Sequence, residues 1–206
     1  MNGPLLKYTT RFLFRKPFFG KSLIPEDRLR YLAFLLEKTV YEQVRGNVIE
    51  CGVYRGGSLV ELGLTLKRLN CGKVCYGIDT FEGHPYTDEG TIHVQGHLKD
   101  TSYARVKDVL QHLRLDNVKL LKGRFSEMFP SLQQETFCFA HLDCDLYRSY
   151  KECLSFLYPR MSRGGILFFD DYNSSNAPKC NKAIEGFIRK KDLIILPKKQ
   201  AYYTIK

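Results

Sequence analysis

The sequence predicts an α/β fold: one mostly parallel sheet of seven strands, helices on both of its faces, and an antiparallel hairpin at the C-terminal end. Three observations carry this. Apolar runs of strand length recur along the chain, and helical stretches separate most of them. The last two runs are split only by the tetrapeptide PKKQ, too short for a crossover. Strands that alternate with helices pair in parallel and are covered on both faces.

The elements follow in chain order. Pro25, Glu26 and Asp27 are helix-start residues, and DRLRYLAFLLEKTVYEQV after them carries apolar positions at three- and four-residue spacing, so a helix opens the domain. Strands are then predicted at NVIEC, KVCYGI, VKLLKG, FCFAHLD, GGILFFD, LIIL and AYYTI, with helices over 58–69, 102–114, 148–158 and 178–190. Gly164 and Gly165 are expected to turn the chain into the fifth strand. Repeats, low-complexity tracts and linkers are absent from the sequence. One irregular segment, roughly 79–101, is long for a compact domain and is expected to be a functional loop or lid.

Bulk properties narrow the class. A chain of 206 residues with 44% apolar content can bury one substantial core, expected over residues 24–206 behind a basic arm at 1–23. The sequence holds no run of about 18 uncharged apolar residues, so no membrane-spanning helix is expected. The seven cysteines show no C-x-x-C pairing, which suits a reducing, cytoplasmic setting. Net charge is +10, but residues 1–25 carry +5 and residues 179–206 carry +6, leaving −1 for everything between. Basic residues gathered at the two ends, without a reading module, argue against a nucleic-acid partner. The arm mixes cations with bulky apolar residues. It fits contact with a membrane surface, a cleaved transit segment, or packing on the domain or on a second subunit of a homo-oligomer.

In a doubly wound sheet, ligands bind beyond the carboxyl ends of the strands, and the chemistry-bearing residues fall there. After the first strand comes Glu50-x-Gly52-x-x-x-Gly56-x-Ser58; after the second, Asp79; after the third, Gly123 and Phe125; after the fourth, Asp143 and Asp145; after the fifth, Asp170 and Asp171. The corner is neither G-x-G-x-x-G nor a phosphate-binding Gly-Lys-Ser/Thr loop, and a carboxylate there repels phosphate. It suits a ligand with an ammonium group and ribose hydroxyls, glycine allowing close approach and Asp79 accepting from the diol; S-adenosylmethionine has those groups. Three carboxylates at neighbouring strand ends, Asp143, Asp170 and Asp171, cannot all stay ionised without a cation, and oxygen donors select Mg²⁺, with Mn²⁺ or Ca²⁺ in competition. His84, His93 and His97 lie in the irregular segment without a helical His-x-x-x-His context or nearby cysteines, so contact with substrate or solvent is expected there over a zinc site.

The segments VIECGVYRGGS, YGIDTFEGHP, KGRFSEMFP, HLDCDLYRSY, GGILFFDDYN and QAYYTIK resemble, in order, the TylF/MycF (macrocin O-methyltransferase) family of class I S-adenosylmethionine-dependent methyltransferases. The match runs from about residue 24 to the C-terminus; Cys144 stands where that family commonly has glycine. The resemblance implies a Rossmann-like sheet and transfer of a methyl group to a hydroxyl of a sugar or polyol-containing small molecule. It also implies Mg²⁺ held by Asp143, Asp170 and Asp171, Asp143 as general base and His141 as a substitute. The cofactor-contacting set expected is Glu50, Gly52, Tyr54, Gly56, Ser58, Asp79, Thr80, Phe81, Gly123, Phe125, Ser126 and Asp143. Tyr147 and Tyr172 are candidates for the acceptor pocket. Competing readings are a catechol or phenol O-methyltransferase with Asn173 as an extra oxygen ligand, a metal-dependent phosphoesterase, and a non-catalytic S-adenosylmethionine-binding protein.

Overall fold

A computed structural model describes residues 24–197 and 199–206. The arm expected at 1–23, with its membrane or subunit contact, lies outside the described residues. The first described helix, α1 (Glu26–Tyr41), buries Leu29, Leu32 and Leu36, the i, i+3, i+7 stripe that the sequence spacing predicts. Then follow β1 (Asn47–Cys51), α2 (Gly57–Leu69), β2 (Cys75–Asp79), α3 (Tyr103–His112), β3 (Val118–Lys122), the single turn α4 (Phe125–Met128), β4 (Phe137–Leu142), α5 (Tyr147–Leu157), β5 (Met161–Phe169), α6 (Lys179–Glu185), β6 (Ile194–Leu196) and β7 (Gln200–Thr204).

The sheet order is β3-β2-β1-β4-β5-β7-β6. Strands β1 to β5 pair in parallel; β7 runs antiparallel to both β5 and β6. One apolar layer joins α1, α2 and α3 to one face through Leu36, Leu59 and Val106, and the other joins α4, α5 and α6 through Phe125, Tyr150 and Cys180. With both faces covered, β4 is buried along its whole length, as its unbroken apolar run requires.

Two boundaries differ from expectation. Strand β5 starts at Met161, so Gly164 and Gly165 lie inside it. Gly164 adopts φ +81°, and the β4–β5 register shifts between Phe137 and Phe139, so the pair marks an irregular strand and no separate turn. Helix α6 stops at Glu185, five residues short of the predicted end, because Gly186 follows it. Among the described residues, no helix is long and apolar enough to cross a membrane.

Candidate functional site

The strand order reverses at β1, which pairs with β2 on one side and β4 on the other, and a cleft opens beyond the carboxyl ends at this point. Registers place Cys51 beside Leu142 and Leu142 beside Phe169, so Gly52, Asp143 and Asp170 leave the sheet side by side. Only glycine fits position 52. Its φ is +98°, and a Cβ there would lie 1.8 Å from the backbone oxygen of Asp143. The cavity has a volume of about 430 Å³.

At the glycine corner, Asp79 organises the turn. Its Oδ2 accepts the backbone N–H groups of Val53 (2.9 Å) and Tyr54 (2.8 Å), and its Oδ1 accepts that of Phe81 (2.7 Å). Tyr54 and Phe81 hold positive φ, 50° and 55°, and these charge-assisted bonds offset that strain. Of the expected cofactor contacts, Gly52, Tyr54, Ser58, Asp79, Thr80, Gly123, Phe125 and Asp143 line the cavity. Glu50, Gly56, Phe81 and Ser126 do not. Gly56 serves the turn, with φ +84° and Val106 against it; Phe81 packs edge-on to Tyr103 in the core; Ser126 points to solvent.

Glu50 lies below the cavity floor, fully buried, with Oε1 2.8 Å from Nδ1 of His141 on the adjacent strand. His141 is equally buried and does not reach the cavity, so it cannot stand in for Asp143 as a base acting on an acceptor. Its other nitrogen, Nε2, stops 4.0 Å from Asp170 Oδ1. Burial opposes a charge on this ring, but Asp170 and Glu50 outweigh it and push the His141 pKa up to about 10. Burial raises the Glu50 carboxyl too, so Glu50 and His141 form a buried hydrogen-bonded pair that holds one proton between them, with Asp170 beyond it.

The acidic side is richer than expected. Ligand oxygens of Asp143, Asp145 and Asp171 lie within 4.8 Å of one another. Asp170, the expected third member, is turned to Arg28 and Gln200: Arg28 forms an ion pair with Oδ2, and the Gln200 amide donates to Oδ1. Burial works against a charge on Asp170, but His141 and Arg28 overcome it and hold its pKa below the usual carboxylate range. The others move the opposite way. Burial, then the charges of Asp170 and Asp171, push Asp143 well up; burial and the same two neighbours raise Asp145; Asp171 rises to about 6 through burial and Asp170. Counting Glu50, five carboxylates crowd around the two cations Arg28 and His141, more than those cations can pair, and oxygen donors so crowded suit a hard divalent cation.

Tyr172 is fully buried with its hydroxyl on Glu185, and neither it nor Tyr147 lines the cavity. Asn173 is paired with Asn181 through both backbone and side chain, turned toward α6. Sequence reasoning missed Arg28, whose only signal was a cation on an otherwise amphipathic helix, and the meeting of the three lid histidines, which line the same cavity.

A Rossmann-like sheet with the glycine corner and the Asp79 carboxylate at its switch point, and an acidic pocket beside them, fits a class I methyltransferase. The profile of the macrocin-O-methyltransferase (TylF) family matches residues 11–198, and the chain belongs to that family. It is 29% identical over 184 residues to mycinamicin III 3''-O-methyltransferase of Micromonospora griseorubida, covering 83% of this chain and 71% of that protein. It is 28% identical over 167 residues to 8-demethyl-8-(2,3-dimethoxy-alpha-L-rhamnosyl)-tetracenomycin-C 4'-O-methyltransferase of Streptomyces olivaceus, covering 76% and 64%. Among solved structures, the O-methyltransferase NovP superposes with a TM-score of 0.80 at 26% identity, covering 90% of this chain and 82% of that one. The protein is an O-methyltransferase, and S-adenosylmethionine is its methyl donor.

Proposed function

We propose that the protein methylates a hydroxyl of a sugar or other polyol-containing small molecule, with Mg²⁺, or Mn²⁺ in its place, in the acidic pocket. The observation that carries this is the excess of carboxylates over cations in a cavity shared with the glycine corner. The rhamnosyl group in the name of the Streptomyces olivaceus relative supports a sugar acceptor.

Asp143 and Asp171 belong both to the triad read from the sequence and to the trio drawn together in space, and they are the ion's first two ligands. Asp170 is the third, through lone pairs that Arg28 and Gln200 leave free, since a carboxylate accepts at about four positions; Asp145 faces the lid. When bound, the ion supplies positive charge that eases deprotonation of an acceptor hydroxyl. The donor supplies a methyl group that is already activated, so the chain's remaining task is alignment and exclusion of water. Gly52 allows close approach at the strand end. Asp79 fixes the corner through three backbone bonds. Asp143 takes the hydroxyl proton.

Removal of divalent metal by EDTA should abolish methyl transfer to a vicinal-diol sugar, and Mg²⁺ should restore it. Full turnover by protein shown to be metal-free would overturn the metal assignment. Asp170→Asn tests the third ligand: Mg²⁺ should fail to restore its activity, and full restoration would take Asp170 out of the ligand set. A catechol acceptor is the control; Asn173, the extra ligand that reading needs, is bound to Asn181.

A further inference from the structure

The 80–102 segment folds back on itself so that three histidines meet over the cavity. The N–H of His84 donates to the carbonyl of His97 (2.8 Å), that of Gly96 to His84 (2.9 Å), and that of Asp88 to His93 (3.0 Å). The three rings come to centroid separations of 5.0, 5.6 and 5.6 Å. One ligand nitrogen from each lies within 4.8 Å of the other two. Asp145, after β4, closes the group: its Oδ2 is 3.5 Å from His84 Nε2 and its Oδ1 3.7 Å from His93 Nε2. Asp145 sits at φ +57°, a strained conformation for a residue other than glycine.

His93 Nε2 and His97 Nδ1 are buried without a hydrogen bond, and such atoms are uncommon unless a ligand satisfies them. Spacing agrees as well. Donors at about 2.0–2.1 Å from a tetrahedral Zn²⁺ lie about 3.3–3.4 Å from one another. The separations from Asp145, 3.5 Å from Oδ2 to His84 Nε2 and 3.7 Å from Oδ1 to His93 Nε2, lie close to that value.

We infer that His84, His93 and His97, with Asp145 as the fourth donor, form a binding site for a first-row transition metal of the Zn²⁺ type, fixing the 80–102 segment over the cavity. Three imidazoles and one carboxylate select Zn²⁺ over Mg²⁺, whereas the neighbouring pocket of oxygens alone selects the reverse. Three of the four ligands fall within fourteen residues, so little loop-closure entropy opposes the site. The site serves the cover of the cavity, separately from the acceptor hydroxyl.

The test is Zn²⁺ titration of the chelator-stripped full-length protein in excess Mg²⁺, which keeps the acidic pocket filled. Metal content is read after gel filtration, and the visible d–d spectrum is recorded with Co²⁺ in place of Zn²⁺. One Zn²⁺ per chain and an intense, four-coordinate Co²⁺ spectrum are expected. His93→Ala and the double variant His84→Ala/His97→Ala should weaken Zn²⁺ binding by about 100-fold, while Asp143→Asn retains it. Circular dichroism checks that each variant is folded. Zn²⁺ should also slow proteolysis within 80–102 in the wild type and in His97→Gln far less, a readout that survives if an alanine variant misfolds. No retained Zn²⁺, or equal retention by wild type and histidine variants, would overturn the inference.

Discussion

The two halves of the cleft are built on opposite principles. In the glycine corner the backbone is satisfied from within: Asp79 accepts the N–H groups of Val53, Tyr54 and Phe81 and keeps a lone pair for a ligand, so the turn closes without help. In the acidic pocket Asp143, Asp145 and Asp171 are crowded together, and all three rise above the usual carboxylate range. A self-satisfied loop is preorganised for a ligand that arrives with its own donors. A pocket of mutually repelling acids is completed by a cation. Gly52 joins the halves, because its missing Cβ is the space that the Asp143 carbonyl occupies.

That junction gives the largest expected effect. Gly52→Ala drives a methyl group into the Asp143 backbone at a φ that alanine avoids, so cofactor binding and methyl transfer should both fall below detection, with a lowered melting temperature. A variant that binds S-adenosylmethionine normally would mean the halves are not coupled here. Next, Asp143→Asn should separate them. Methyl transfer drops by about 1000-fold, while cofactor affinity, measured by isothermal titration, stays within about threefold of wild type. A parallel loss of affinity would place Asp143 in the cofactor half. Third, Asp79→Ala should weaken cofactor binding by about 1.5–3 kcal/mol. It also strands three N–H groups, so the melting temperature falls with it. Lost stability with unchanged affinity would reduce Asp79 to a brace for the corner.

The contrast also explains what the sequence disclosed. Strands and their ends were legible because burial on both faces forces unbroken apolar runs, and Gly52, Asp79, Asp143, Asp170 and Asp171 were legible because they stand where those runs stop. The contacts that decide roles were not. Arg28 and Asp170 are 142 residues apart in the chain, and no local pattern announces their pairing. Glu50 was read as facing the ligand because it closes an apolar run, yet Gly52, two residues on, is where the chain reaches the cavity. Strand register alone aligns Glu50 with His141. Imidazoles at 84, 93 and 97 stand in a segment with no helix, and the backbone bonds of the folded-back segment bring them together.

The smallest expected effect lies outside the cleft and calibrates the reasoning used within it. Glu61, on α2, is 1% exposed, and neither carboxylate oxygen accepts a hydrogen bond. Burial, only partly countered by Arg68, raises its pKa to about 7 from an ordinary 4.5. Arg68 is held by Glu37, which limits its help. Between these values the unfolded chain releases the proton while the folded chain keeps it, so the folded state binds more protons and loses stability as pH rises. The contribution is fully present below about pH 4.5 and gone above about pH 7. A rise of that size corresponds to about 3 kcal/mol. Glu61→Gln, neutral at every pH, should therefore match the wild type near pH 5 and exceed it by about 1–3 kcal/mol at pH 8 in urea denaturation, with methyl transfer unchanged. Parallel stability curves for the two proteins would mean that burial alone does not raise a carboxyl group in this fold. The high proton affinity argued for Asp143 would then have to come from Asp170 and Asp171, and Asp170→Asn would lower it.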